Sequence, residues 1–357
     1  MEASVEPRPG RQRNSLGDIS VLYITVLMRA VSAAGHDPSP LMERFGLTRE
    51  TLTSPDARIS IPRFMRLGHA AIELTGDRAI GLRMGELTRP VDAGIAGLAA
   101  QCAPTTAEAL ATLIRYSLLT SRNSRGAAST SEQGRQAHFY SIRPYNVFNY
   151  FVVDSVLAAW TSFLRLISGR HDVLEKVSIE YPSIGLDHVF EDWFGCPVQF
   201  GARGNGLTLA AGAGALPSLQ AQNAMYAALT RQCEESLQRI RQGWTTGDRV
   251  RDLLTPLLQG ATPTLETVAT RLGTAPWTLQ RQLAEENTGF RELVDQTRQD
   301  LAADYIRETR TSLAEIAWLL GFANPAAFHK AYRRWFAISP GEHRKQFYEE
   351  QARKGIR

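Results

Sequence analysis

Along the first third of the chain, apolar residues recur at three- and four-residue spacing. This predicts helices over Ile19 to Ala34, Leu41 to Phe45, Ile61 to Thr75, Ile80 to Gly85 and Ala107 to Tyr116. The punctuation agrees, with a turn at Asp37-Pro38-Ser39-Pro40 and a helix start at Pro104-Thr105-Thr106. The pattern then changes. Residues 117–143 are rich in Ser, Thr, Asn and Gly around His138-Phe139-Tyr140-Ser141-Ile142, which predicts a hairpin, and Phe148 to Ile167 is again helical. Val177 to Tyr181 alternates as a strand, Asp187 to Phe194 forms a short helix, and Val198-Gln199-Phe200 with Gly206-Leu207-Thr208-Leu209 reads as a strand pair. From Ser218 to Ile240 an amphipathic helix carries Leu219, Ala224, Met225, Ala228, Leu229, Cys233 and Leu237, a stripe expected in the core and secondarily at a dimer or interdomain contact.

The last third holds one pattern twice. Leu265-Glu266-Thr267-Val268-Ala269-Thr270-Arg271-Leu272-Gly273 is followed 48 residues later by Leu313-Ala314-Glu315-Ile316-Ala317-Trp318-Leu319-Leu320-Gly321. Each copy predicts a short helix closed by a glycine, Gly273 or Gly321, because glycine enters the left-handed turn without strain. A second helix follows each. The first begins near Pro276 with Leu279 and Leu283 inward; the second has Asn324 as N-cap, Pro325 at the first position, and Phe328, Tyr332 and Trp335 as its apolar stripe. Ser312 and Glu315 form a capping box ahead of the second copy. Leu279 follows its glycine by six residues and Phe328 by seven, so the second turn is one residue longer. These are two helix-turn-helix units.

Residues from about Thr245 to Arg344 resemble the DNA-binding domain of the AraC/XylS transcription regulators. The likeness lies in the paired spacing, the segment Phe290 to Arg310, and the ending Gly321-Phe322, Ala327-Phe328, Tyr332-Arg333-Arg334-Trp335, Ile338-Ser339-Pro340. Residues 19–240 resemble, less specifically, the arabinose-binding-like domain of AraC-type regulators similar to ornithine-utilisation regulators, through the helical opening, Glu191 to Ala202 and Asn205-Gly206-Leu207. The resemblance implies an α+β effector-binding and dimerisation domain at 18–240, preceded by a flexible arm at 1–17. A linker at 241–247 then leads to an all-α DNA-binding domain at 248–345 and a tail at 346–357. It leaves the effector and its pocket residues unassigned.

It also implies that base-reading side chains lie on the outward faces of the two second helices. On the first these are Trp277, Thr278, Gln280 and Arg281. Arg281 suits guanine, Gln280 adenine, and Trp277 thymine methyls or sugar. The second helix departs from the family's polar pattern at Pro325, Ala326 and Ala327. Apolar contacts from Pro325 or Ala326, contacts from His329 or Lys330, and phosphate anchoring by Arg333 and Arg334 remain. A long helix from Phe290 to Arg307, packing through Leu293, Val294, Leu301 and Ile306, would space the units about 34–36 Å apart on one face of the duplex. The implied partners are double-stranded promoter DNA, RNA polymerase, a small-molecule effector and a second copy of the chain. Family habit favours activation; these residues do not themselves distinguish an activator from a repressor.

Charge and composition refine this picture modestly. The chain has 357 residues, 43% hydrophobic and 21% charged, which fits a globular protein of two domains, and a net charge of +4. Residues 245–357 hold 16 Lys and Arg against 14 Asp and Glu, yet no acid falls between Glu315 and Glu342, where Lys330, Arg333 and Arg334 lie. Cys102, Cys196 and Cys233 have neither disulfide-framework nor metal-pair spacing and point to a reducing cytoplasm. No metal site or cofactor is predicted. The opening seventeen residues lack the apolar run of a signal peptide, and Ile19 to Ala34 is too short and polar to span a bilayer.

An enzyme would need a constellation that is not found: no GxSxG, HExxH, Walker A or GxGxxG occurs in a strand-turn-helix setting. Gly201-Ala202-Arg203-Gly204-Asn205-Gly206 reads as a hairpin turn rather than a phosphate loop, and Asp187, His188, Glu191 and Asp192 as a solvated helix face. A protein that merely bends or coats DNA is the third class; it would discriminate weakly between promoters and ignore small molecules.

Overall fold

The computed structural model describes residues 17–54, 57–123, 128–131, 134–241, 245–258, 260–309 and 311–353. Residues 1–16 of the predicted arm, 242–244 of the predicted linker and 354–357 of the predicted tail lie outside them.

Gly17 already belongs to a strand. The predicted helix from Ile19 is shorter than its apolar run: β1 (Gly17–Ser20) precedes α1 (Leu22–Ala33). The run Ile19 to Val21 is buried at the junction, and burial alone cannot tell strand from helix. β1 pairs antiparallel with β2 (Arg58–Ser60) on one side and β3 (Ser121–Asn123) on the other. That small sheet was not predicted, because each strand is only three or four residues long. Around it lie α2 (Ser39–Arg44), α3 (Arg49–Thr53), α4 (Ile61–Thr75), α5 (Ile80–Leu87), α6 (Gly94–Gln101) and α7 (Thr106–Arg115). α2 starts inside the predicted proline turn, where Asp37 accepts from the Ser39 amide at 2.9 Å.

The second sheet runs β4 (Ser129–Ser131), β5 (Gln136–Phe139), β8 (Asn205–Leu209), β6 (Leu174–Ser178), β7 (Val198–Gln199). β4 and β5 form the predicted hairpin. The predicted pairing of 198–200 with 206–209 is wrong: β7 lies parallel to β6, and β8 sits between β5 and β6. The connection from β6 through α9 (Asp187–Phe194) to β7 is a crossover, which a parallel neighbour requires. Gly201 to Gly206 is therefore a connection passing across β6, not a hairpin turn. The strand placed at 177–181 begins earlier, at Leu174, and ends at Ser178.

α8 (Tyr150–Ser168) is the spine of this domain. By length and composition it could cross a membrane, but Phe151, Val153, Leu157, Leu164 and Ile167 are buried against neighbours within the domain. α5 approaches it through Gly81 and Gly85: a Cβ at either would lie 2.5 Å from the Asp154 Cβ and 2.2 Å from the Ala158 Cβ, respectively. α10 (Asn223–Arg241) starts five residues later than predicted, and much of its expected stripe faces outward. Cys233 and Leu237 are buried, whereas Leu219 and Met225 are 71% and 53% exposed and Ala224 and Ala228 are also exposed.

The remaining helices are α11 (Thr246–Leu257), α12 (Leu265–Arg271), α13 (Pro276–Glu285), α14 (Phe290–Glu308), α15 (Leu313–Leu319), α16 (Pro325–Phe336) and α17 (Pro340–Arg353). α10 and α11 intrude on the predicted linker from both sides, and α17 runs into the expected tail as far as Arg353. All three cysteines are free thiols.

The contact between α5 and α8 buries a carboxyl group. Asp154 accepts from the Tyr181 hydroxyl through Oδ1, while Oδ2 is buried with no hydrogen-bond partner. Desolvation raises its pKa from 3.8 to about 8, with the Tyr181 hydrogen bond opposing that rise. The unfolded chain loses this proton near 3.8 and the folded chain near 8. The stability contributed by the protonated form is therefore complete below the lower value and lost as pH rises through the upper one. Asp154→Asn should gain stability relative to the parent as pH is raised from 4 to 8. Urea midpoints at both pH values check this; equal pH slopes in the two proteins contradict it.

Candidate nucleic-acid interface

In the first unit Thr264 caps α12 by accepting from the Thr267 amide at 3.2 Å, and Gly273 turns the chain at φ +66°. α13 then begins at Pro276 and points Leu279 and Leu283 fully inward. Its other face is therefore free. Trp277 is 67% exposed, Gln280 and Arg281 are exposed, and Thr278 is half-buried. The Arg281 guanidinium lies 5.7 Å from the Trp277 ring centroid and 3.7 Å from Glu285. Such exposed pairs are worth at most about 1 kcal/mol, so Arg281 is readily redirected.

The second unit opens with the predicted capping box. The Ser312 amide donates to Glu315 at 3.0 Å, and the Glu315 amide donates to the Ser312 hydroxyl at 3.2 Å. Asn324 caps α16 by accepting from the Ala327 amide at 2.9 Å, with Pro325 at the first position. Phe322, the counterpart of Thr274 in the first turn, lies 5.7 Å from the Phe328 ring and 6.1 Å from Trp335, and the extra residue falls between it and the Asn324 cap. Phe328 and Tyr332 are wholly buried, and Tyr332 shares a 2.8 Å hydrogen bond with His343 of α17. Burial pushes the Tyr332 hydroxyl up to about 12. Pro325, Ala326, Lys330, Arg333 and Arg334 face outward, and His329 is half-buried.

α14 ties the units together. Leu293, Leu301, Ala302 and Ile306 are buried along it, continuous with Val250, Leu254, Leu279 and Leu283 of the first unit and Ile316, Phe328 and Tyr332 of the second. Polar clamps add direction. Arg298 donates to the carbonyls of Leu320 at 2.8 Å and Gly321 at 3.1 Å, satisfying groups left open at the end of α15, and its guanidinium lies 4.9 Å from the Phe322 ring centroid. One turn away, Asp295 accepts from Arg334 at 2.8 and 3.0 Å and from the Trp335 indole at 3.0 Å. At the other end, Glu286 accepts from the amides of Thr246 and Gly247 at 2.5 and 2.9 Å, fixing the start of α11. Burial pushes the Glu286 carboxyl up, but those amides and the Thr246 and Thr245 hydroxyls together hold it below the usual range.

Two helix-turn-helix units on a shared core form the geometry of a double DNA-reading head. A family model for the arabinose-binding domain of AraC transcription regulators matches residues 35–218, and a helix-turn-helix domain model matches residues 268–346. The chain belongs to the AraC-type transcription regulators. It is a DNA-binding transcription regulator of that type. The ornithine utilization regulator of Pseudomonas aeruginosa is 26% identical over 92% of this chain and 96% of its own length. The regulator VirS of Mycobacterium tuberculosis is 26% identical over 90% of this chain and 93% of its own. The solved structure of the transcriptional regulator CdpR from P. aeruginosa aligns over 91% of this chain and 98% of its own at 22% identity and a TM-score of 0.42.

Every residue expected to meet DNA on α13 and α16 is at least partly accessible, but Arg334 is already paired with Asp295. Sequence reasoning missed Arg298, Asp295 and Glu286, whose partners lie 22 to 40 positions away and leave no local periodicity. Among the described residues, no group of three or more His, Cys, Asp or Glu is placed to hold a metal.

The two turn glycines differ in what surrounds them. A Cβ at Gly273 meets nothing within 4 Å, whereas one at Gly321 would lie 2.1 Å from the Ala261 carbonyl oxygen and 2.5 Å from that of Leu258. Gly273→Ala should cost about 1–2 kcal/mol, the ordinary price of a left-handed residue. Gly321→Ala should cost distinctly more, by displacing backbone. Chemical denaturation of both variants measures this, and equal losses would contradict the close approach.

Proposed function

We propose that each subunit reads two adjacent major-groove segments, with α13 carrying most of the base discrimination and α16 serving largely as an anchor. The supporting observation is the outward set Trp277, Gln280 and Arg281 on a helix whose opposite face is locked into the core. α16 instead presents the apolar Pro325 and Ala326 together with Lys330 and Arg333. In this reading Trp277, Thr278, Gln280, Arg281, Pro325, Ala326, His329 and Lys330 meet bases, and Arg333 and Arg334 meet phosphates.

The protein then acts as a ligand-responsive activator of a metabolic operon in the cytoplasm, contacting RNA polymerase and catalysing no reaction. Activation and the polymerase contact are carried over from the family resemblance. A homodimer is supported by the exposed apolar residues Ala224, Met225 and Ala228 of α10, which a second copy would cover. Effector control requires only that the ligand prefer one arrangement of the reading heads.

These roles separate in a binding titration against the duplex selected by the full chain from a random library. Arg281→Ala should relax specificity at one base pair while leaving the salt dependence nearly unchanged. Arg333→Ala should weaken binding to all sequences and lower the salt slope by about one unit. Arg334→Ala should lower it less, because Asp295 already balances that charge. Indistinguishable behaviour of Arg281→Ala and Arg333→Ala contradicts this division of labour.

A further inference from the structure

The core of the amino-terminal domain is not continuous. Ile19 and Phe64 belong to one packed cluster, Trp160 to a second, Ala96 and Tyr116 to a third and Phe163 to a fourth. All six line a single cavity of about 130 Å³ where the clusters meet. That volume is close to that of a cavity able to take up a benzene-sized molecule. We infer that this cavity is the effector site and that its ligand is a neutral, ring-sized molecule bearing one hydrogen-bond donor. The inference rests on the ligand-responsive reading above and supplies its ligand class.

Two of the hydroxyls in the wall bear on what the ligand must offer. Thr88 donates its hydroxyl hydrogen to the Met84 carbonyl at 2.8 Å, and Ser155 donates to the Val152 carbonyl at 3.0 Å. Their oxygens retain only acceptor capacity, which favours a ligand O–H or N–H. The wall's carboxylate is already matched, and its guanidinium is held in water, where solvent screens it. Asp92 takes a forked pair from Arg29 at 2.8 and 3.1 Å and the Arg89 amide at 2.8 Å, while the Arg89 side chain is 64% exposed to water. A charged ligand would be desolvated without a counter-charge inside.

The cavity also touches the helix that leads to the reading heads. Ala96 and Tyr116 pack on Cys233 and Leu237 of α10, and Glu234 of α10 accepts from Tyr116 at 3.4 Å and from Arg115 at 3.1 Å. Occupancy therefore bears on α10, whose far end joins α11 through residues 242–244.

Benzyl alcohol, benzylamine and benzoate match one size with three charges, and thermal shifts of the full chain read their binding. At ten times its Kd, benzyl alcohol should raise Tm by roughly 3–6 °C. It should also change affinity for the selected duplex by about fivefold or more. The two ions should do neither. Ala159 lines the cavity, and Ala159→Phe should weaken the alcohol about tenfold or more by filling it. Ala159→Leu provides a smaller filling with the same direction of effect should Ala159→Phe fail to fold. Shifts from either ion equal to the alcohol's, no shift from any of the three, or a shift unchanged by filling each overturn the assignment. Duplex binding measured without any probe tests the regulator reading separately.

Discussion

Arg298 and Asp295 sit three residues apart on one face of α14 and hold the second helix-turn-helix unit at two points. Arg298 closes the end of α15 and the turn after it, while Asp295 gathers Arg334 and Trp335 from α16. The apolar seam beneath them alone would leave the helices able to slide, because hydrophobic contact has little directionality. Charged hydrogen bonds to carbonyls and to an indole do not tolerate sliding. Glu286 does the equivalent at the start of α11. Two similar probes thereby become one instrument, and of the outward residues on the reading helices Arg334 is the one drawn into that support.

That arrangement explains which features were legible in the sequence. The reading heads could be found because their signals are local: Ser312 with Glu315, Asn324 with Pro325, and a glycine after each short apolar helix are recognised within a few residues. Long amphipathic runs such as Ile61 to Thr75 were legible for the same reason. The short strands were not. β1, β2 and β3 have three or four residues each and pair across as many as 106 positions, from Gly17 to Asn123, so no window contains their partners. The predicted pairing of β7 with β8 failed because sequence neighbours were assumed to be spatial neighbours, whereas β6 inserts between them. In α10 periodicity identified a helix but not what covers it, so a stripe of apolar residues stands partly in water.

The two halves also divide the physical work differently. The carboxy-terminal domain has one continuous core and polar clamps that remove freedom. The amino-terminal domain has a core interrupted by a cavity, with glycines at 81 and 85 drawing α5 onto α8 so tightly that a carboxyl group is trapped between them. A void where clusters meet is a place where a small occupant changes the packing of several elements at once. α10 is the element there that continues toward the DNA-binding domain.

The central claim is that α14 presents both reading helices to one side of a single duplex. Methylation interference on a site selected by the full chain from random DNA tests it directly. Two clusters of sensitive guanines on the same face, about one helical turn apart, are predicted. A single cluster, or two clusters on opposite faces of the duplex, would contradict it.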